Sequence, residues 1–94
     1  MNKQRIAWFW KGDKRLVLNF DGAPALEIRK DRINIVDLPP FGWFLYLADG
    51  SDKRLTVTRS GQPTELWDAS KAVAQHMAEA HILAERTAPP TRTP

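Results

Sequence analysis

The sequence predicts an α+β fold in which a mostly antiparallel, meandering β-sheet of about five or six strands precedes one C-terminal α-helix packed on one face. Two observations lead to this prediction. Turn-forming segments such as DGAP (21–24) and DLPPFG (37–42) interrupt the first two-thirds of the chain at short intervals, and the runs between them have the length of strands. After SGQP (60–63) the apolar residues recur at helical spacing instead. Short connections between strands favour antiparallel neighbours.

The predicted strands are six short runs: RIAWFWK (5–11), RLVLNF (15–20), ALEIR (25–29), INIV (33–36), FGWFLYLA (41–48) and RLTVTR (54–59). The second, third and sixth runs alternate an apolar row with a polar row, as strands do in a sheet with one face in water. The first and fifth are apolar on both rows, and the fourth has the weakest pattern. RKDR (29–32) and ADGSDK (48–53) are predicted to be turns.

The predicted helix covers TELWDASKAVAQHMAEAHILAER (64–86), with Thr64 or Asp68 as its N-cap. The apolar stripe expected to face the sheet consists of Val73, Met77, Ala80 and Ala84. Residues 1–86 are therefore predicted to form a single sheet-plus-helix domain. The segment TAPPTRTP (87–94) cannot continue the helix and is predicted to be a flexible tail.

Composition limits the classes of protein to be considered. The 94-residue chain has no cysteine, which excludes disulfides and thiolate chemistry. Its longest apolar run, 41–48, is far shorter than the roughly 20 residues that a membrane helix needs. A cytoplasmic location without a membrane partner is the expectation. The net charge of +3 comes from basic residues near the two ends, namely Lys3, Arg5, Lys11 and Arg92.

One helix can cover only one face of the sheet, so the two strands that are apolar on both rows need another cover. The sheet can curl towards a barrel, pair with a second copy, or dock on a different protein. We expect a small non-catalytic interaction protein that uses an aromatic sheet face as a homodimer, or as an inhibitor or adaptor on a larger protein assembly. The predicted contact residues are Trp8, Phe9, Trp10, Trp43, Phe44 and Tyr46.

The alternative is a single-stranded nucleic-acid-binding protein with a basic rim beside exposed aromatic rings. In a meander of six strands, alternate turns lie at the same end of the sheet. The cations predicted to meet at that end are Lys11, Lys14, Arg15, Arg29, Lys30, Arg32, Lys53 and Arg54. The predicted helix would bring Arg86 towards them. This order of elements resembles small nucleic-acid-binding modules and also inhibitors of host machinery carried by phages or plasmids, although no motif matches either group residue by residue.

The sequence contains no catalytic signature, so we do not expect an enzyme, a cofactor or a small-molecule substrate. His76 and His81 are five residues apart, which on a helix turns them about 140° away from each other, so they do not form a metal-binding pair. The five glycines are scattered one per turn and form no phosphate-binding loop.

Overall fold

Antiparallel pairing between consecutive strands organises the protein, as a computed structural model of residues 5–87 shows. The elements are β1 (Ile6–Trp10), β2 (Arg15–Phe20), β3 (Ala23–Arg32), β4 (Phe41–Leu47), β5 (Thr56–Arg59), β6 (Gln62–Glu65), β7 (Trp67–Asp68) and α1 (Lys71–Thr87). One sheet has the order β1-β2-β3-β4-β7, and β5 and β6 form a second, two-stranded sheet. The predicted α+β class is confirmed. Thr87, the first residue of the predicted tail, is the last residue of α1, and the rest of that tail, 88–94, lies outside the described residues.

The first two strands follow the prediction closely, and the third, predicted over 25–29, extends at both ends to Ala23–Arg32. Asp21 and Gly22 both have positive φ angles, 53° and 86°, as a two-residue hairpin of the Asp-Gly type requires. This turn places Phe20 beside Ala23 and brings Leu16, Leu18 and Phe20 onto one face of β2. The five-stranded sheet stays open, with β1 and β7 at opposite edges, so it does not close into a barrel.

The predicted turn at 29–32 and the predicted strand at 33–36 are both wrong. Residues 29–32 continue β3, because the apolar strand β4 pairs with it along its whole length from Leu26↔Leu47 to Arg32↔Phe41. The charged side chains fit because they alternate between faces and find partners on each. Residues 33–36 instead begin the loop to β4, in which Ile33 is buried and Val36 is 85% exposed.

The chain after β4 departs further from the prediction. Residues 53–55 return along the outer edge of β4, where Leu55 N–H donates to the Leu45 carbonyl. The chain then leaves as the β5–β6 hairpin and comes back to pair β7 with Trp43 and Phe44. The predicted sixth strand is thus divided between the edge of β4 and the hairpin. The residues predicted to start the helix, 64–70, precede it.

α1 begins at Lys71, and its N-cap is Ser70 rather than Thr64 or Asp68, because Ser70 Oγ accepts a hydrogen bond from the Val73 N–H. The buried face of α1 is displaced by about one residue from the apolar stripe that the sequence predicted. The buried face consists of Ala74, Ala78 and Ile82, which pack against Leu18, Ile28 and Leu45. Of the predicted stripe only Met77 is partly buried, and Val73, Ala80 and Ala84 are exposed. The small alanines at 74 and 78 allow close approach to the sheet.

Candidate binding surfaces

The face of the sheet opposite α1 is covered from within the chain. Phe44 and Tyr46 point to this face yet are only 6% and 8% exposed. Trp67 stacks on Phe44 with ring centroids 5.3 Å apart. The Arg54 guanidinium lies 3.9 Å from the centre of the Phe44 ring, and that of Arg29 lies 4.2 Å from the centre of the Tyr46 ring. Cation–π contacts therefore cover Phe44 and Tyr46, two of the six aromatic residues that the sequence predicted to bind a partner.

Ion pairs hold these arginines in place. Glu27 is buried in the middle of β3 and accepts hydrogen bonds from Arg15 Nε at 3.0 Å and from Arg29 Nε at 2.9 Å. Arg29 also donates to Asp52 at 2.7 Å, which fastens the 48–52 turn over this face. Burial by itself would raise the pKa of Glu27, but the hydrogen bonds from Arg15 and Arg29 hold that pKa below its ordinary value.

A second network surrounds Tyr46. Its phenol donates to Asp31, and Arg54 donates to Tyr46 Oη, to Asp31 at 2.9 Å and to Glu65 at 2.9 Å. Burial and the hydrogen bond to Asp31 raise the pKa of Tyr46. Within residues 5–87, every fully buried side-chain nitrogen and oxygen has a hydrogen-bond partner. These networks are consistent with a structural role for the face opposite α1.

The eight cations expected to meet at one end of the sheet do not all do so. Arg15, Arg29 and Arg54 belong to the two networks. Lys53 lies at the far end of β4, because the 29–32 segment is strand and the six-strand order on which the rim depended does not occur. Arg86 is also at the far end, with its guanidinium 5.3 Å from the centre of the Phe20 ring. The predicted placement of Arg86 beside the rim was wrong.

Other cations gather with aromatic rings at the end of the α1-bearing face where the helix begins. We call this the cation–aromatic surface, defined by Trp10, Phe41, Trp43, Lys14, Lys30, Arg32 and Lys71. Lys14 is included because its backbone carbonyl accepts a hydrogen bond from the Lys30 N–H. Trp10 and Trp43 meet edge to face at 6.4 Å, and Lys71 Nζ lies 5.7 Å from the centre of the Trp10 ring. Lys30, the cross-strand partner of Trp43, lies 5.4 Å from the centre of the Phe41 ring.

The outer edge of β1 is the second exposed feature. Asp21 N–H donates to the Arg5 carbonyl and Lys11 N–H donates to the Arg15 carbonyl, so the odd-numbered residues of this segment bond inward to β2. In an antiparallel ladder the even-numbered residues Ile6, Trp8 and Trp10 then direct their backbone groups outward. Among the residues described, no strand pairs with this edge.

The side chains of β1 divide between the two faces. Trp8 points towards α1, where its Nε1–H donates to Glu79 Oε2 at 2.7 Å. Trp10 lies on the same face and is 56% exposed, and Phe9, on the opposite face, is 49% exposed. Of the six aromatic residues predicted as contacts, Phe9 and Trp10 are therefore the two most open to a partner. The sequence identified this strand, but it did not show that the strand lies at an edge.

Phe9 also forms one wall of a cleft of about 370 Å³ on the face opposite α1. Its other wall is the 48–52 turn, and its floor includes Glu27 and Arg29, which are already paired with each other. The described residues contain no group of three or more His, Cys, Asp or Glu side chains that could hold a metal ion. They also contain no helix with the length and hydrophobicity needed to cross a bilayer.

Comparison of the chain with protein-family models, with curated proteins and with solved structures finds no match.

Proposed function

We propose that this protein is a non-catalytic interaction protein that binds by adding a strand to the free edge of β1, and that its partner there is a second copy of the chain. The observation that carries the proposal is the outward-facing, unpaired backbone of Ile6, Trp8 and Trp10 within residues 5–87. An apolar edge strand with free backbone groups is a template for another strand, and soluble proteins usually protect such edges.

The composition of β1 favours a second copy as the added strand. In an antiparallel pair with its two-fold axis at Trp8, Ile6 of one chain lies opposite Trp10 of the other, and Ala7 lies opposite Phe9. Apolar residues then meet apolar residues on both faces of the joined sheet. The isologous arrangement is also the commonest symmetry of soluble dimers.

The charges that flank β1 are compatible with this register. Arg5 of one chain would lie near Lys11 of the other, an unfavourable pairing if both were unneutralised. Arg5, however, is bound by Asp21 in a two-point contact at 3.1 and 2.8 Å. Strand addition also explains why exposed aromatic area is concentrated at β1 rather than at Phe44 and Tyr46, which the arginines already cover.

Mass measurement tests the proposal. We expect sedimentation equilibrium to give twice the chain mass of 10.7 kDa for the wild type. The double variant Ala7→Lys/Phe9→Lys should be monomeric, because position 7 of one chain lies opposite position 9 of the other and the facing lysines repel each other. The matched control, Ile35→Lys/Val36→Lys, adds the same charge to exposed apolar positions of the β3–β4 loop and should remain dimeric.

Charge exchange tests the register. A second variant, Ala7→Glu/Phe9→Glu, should also be monomeric alone, and an equimolar mixture with the lysine variant should form heterodimers, because position 7 of one chain faces position 9 of the other. The proposal would be contradicted if the wild type were monomeric or if the loop control dissociated. It would also be contradicted if the lysine and glutamate variants did not associate with each other. Capture of a different protein's extended segment by a monomeric wild type would instead indicate an inhibitor or adaptor.

A further inference from the structure

We propose that the cation–aromatic surface binds single-stranded nucleic acid. Trp10 also belongs to the β1 strand of the proposed dimer, but the four cations and Phe41 lie outside β1. The cations are Lys14, Lys30, Arg32 and Lys71, and the exposed rings are Trp10 and Phe41. This set shares Lys14, Lys30 and Arg32 with the rim predicted by the sequence and adds Lys71. It does not include the other predicted cations, namely Lys11, Arg15, Arg29, Lys53 and Arg54.

Charge is the first argument. Lys14, Lys30 and Arg32 are exposed, and in the part of the chain that the structure describes none of the four cations has a carboxylate within ion-pair distance. Arg15, Arg29 and Arg54 on the opposite face are each paired with acids. The protein therefore neutralises its arginines on one face and leaves cations available at the end of the other.

The aromatic rings are the second argument. Phe41 is 40% exposed and lies between Lys30 and Arg32, whose charged groups are 5.4 and 5.3 Å from its ring centre. Trp10 lies beside Lys71 and against Trp43. The contacts run continuously across this end of the sheet, because Trp43 is the cross-strand partner of Lys30.

An exposed ring beside an unpaired cation suits a nucleotide better than it suits an acidic peptide. Phosphates contact the cations, and an unpaired base stacks on the ring. In a duplex the bases stack on each other and are closed to such rings, so the surface should prefer single strands. The first turn of α1 carries no acidic residue. The acid next to it is Asp68, the cross-strand partner of Trp43, whose carboxylate accepts a hydrogen bond from the Ser70 N–H.

Fluorescence anisotropy with a labelled mixed-sequence single-stranded DNA tests the site. Lys30→Ala/Arg32→Ala should weaken binding about tenfold or more at low salt and reduce the slope of log affinity against log salt by roughly 0.7 for each phosphate that is no longer neutralised. The matched control, Lys53→Ala/Arg59→Ala, removes the same charge from exposed positions elsewhere that have no ion-pair partner within residues 5–87. It should change affinity less than about threefold by the same arithmetic.

Substitutions at Phe41 separate stacking from charge. Phe41→Leu should weaken binding about tenfold, because the ring is removed while an apolar side chain remains, and Phe41→Trp should preserve binding. The proposal would be overturned if the protein did not bind single-stranded DNA at low salt, or if it bound duplex DNA with equal affinity. It would also be overturned if both charge variants lost the same affinity, or if Phe41→Leu had no effect on binding. The Lys30→Ala/Arg32→Ala variant should keep the wild-type mass, which distinguishes this surface from the β1 edge.

Discussion

At the scale of single residues, Gly42 shows how tightly the face opposite α1 is packed. It is the second residue of β4 and lies against Ile33 and the Trp67 ring, which stacks on Phe44. A Cβ atom at this position would be 2.9 Å from Ile33 Cδ1 and 2.9 Å from Trp67 Cε3. The tip of Ile33 can move, but the indole is held in its stack, so a side chain here requires the sheet or the ring to shift.

Gly42→Ala should therefore destabilise the protein by about 1–3 kcal/mol, the usual cost of overpacking a closed site. Urea denaturation measures the change. Ile33→Val removes the Cδ1 atom, so Gly42→Ala should cost less in that background. Equal costs in the two backgrounds would show that Ile33 is not part of the clash.

The ion pairs of Glu27 should make the free energy of unfolding depend on pH in the acid range. Burial opposes its charge, but hydrogen bonds from Arg15 and Arg29 lower its pKa in the folded state, so the folded protein holds the carboxylate deprotonated more strongly than the unfolded chain does. The stabilisation is complete above the ordinary glutamate pKa of about 4.3 and is lost as the pH falls towards the lower folded-state pKa.

Glu27→Gln should cost about 2 kcal/mol at neutral pH, because charge-assisted hydrogen bonds become ordinary ones. The difference from wild type should narrow as the pH falls below about 4. Urea denaturation across a pH series checks this, with the partly exposed Glu65→Gln as the control of small effect. A difference that stays constant with pH would mean that Glu27 contributes by packing alone.

The residues of the core were predictable and the arginine cover was not. Alternation in RLVLNF identified Leu16, Leu18 and Phe20 as one buried row, because period two has a single interpretation in a strand. Arg29 and Arg54 were predicted to belong to a basic nucleic-acid-binding rim, since one sequence does not show which acid lies across the sheet. One pattern in the sequence could have indicated a strand here. In a strand the oppositely charged Arg29 and Asp31 share one face, and the two cations Lys30 and Arg32 share the other.

At the scale of elements, α1 shows a start that local sequence did not settle. Thr64, Asp68 and Ser70 are all competent N-caps, and tertiary pairing decides among them. Because β7 hydrogen-bonds to β4 through Trp67 and Asp68, the helix cannot start before it, and Ser70 is left to cap. The buried face of α1 accordingly begins at Ala74, one residue after the predicted Val73.

Ser70→Ala should lower the stability of the protein by about 1 kcal/mol, because the Val73 N–H loses its side-chain acceptor. Ser70→Asp keeps an acceptor and places a negative charge at the helix N-terminus, so it should retain the wild-type stability. Thermal denaturation followed by circular dichroism measures both variants. A loss in Ser70→Asp as large as in Ser70→Ala would contradict the capping role.

At the scale of the whole molecule, β4 determines which edge stays open. Its outer side is occupied by residues 53–55 and by β7, with the β5–β6 hairpin between them. β1, at the other side of the sheet, has no such cover within residues 5–87. The sequence indicated surplus apolar surface in RIAWFWK. The position of this strand at an edge depends on which strands pair across the sheet, and local sequence patterns do not show that pairing.

The proposed dimerisation through β1 would make the stability of the fold depend on protein concentration. Because association favours the folded state by mass action, the unfolding midpoint of the wild type should rise by roughly 3–5 °C for each tenfold increase in concentration. Ala7→Lys/Phe9→Lys should give a midpoint that does not change with concentration, since it unfolds as a monomer. Differential scanning calorimetry over a wide range of concentrations compares the two. A concentration-independent midpoint for the wild type would mean that its strands do not pair in the folded state, and the free edge of β1 would then require another partner.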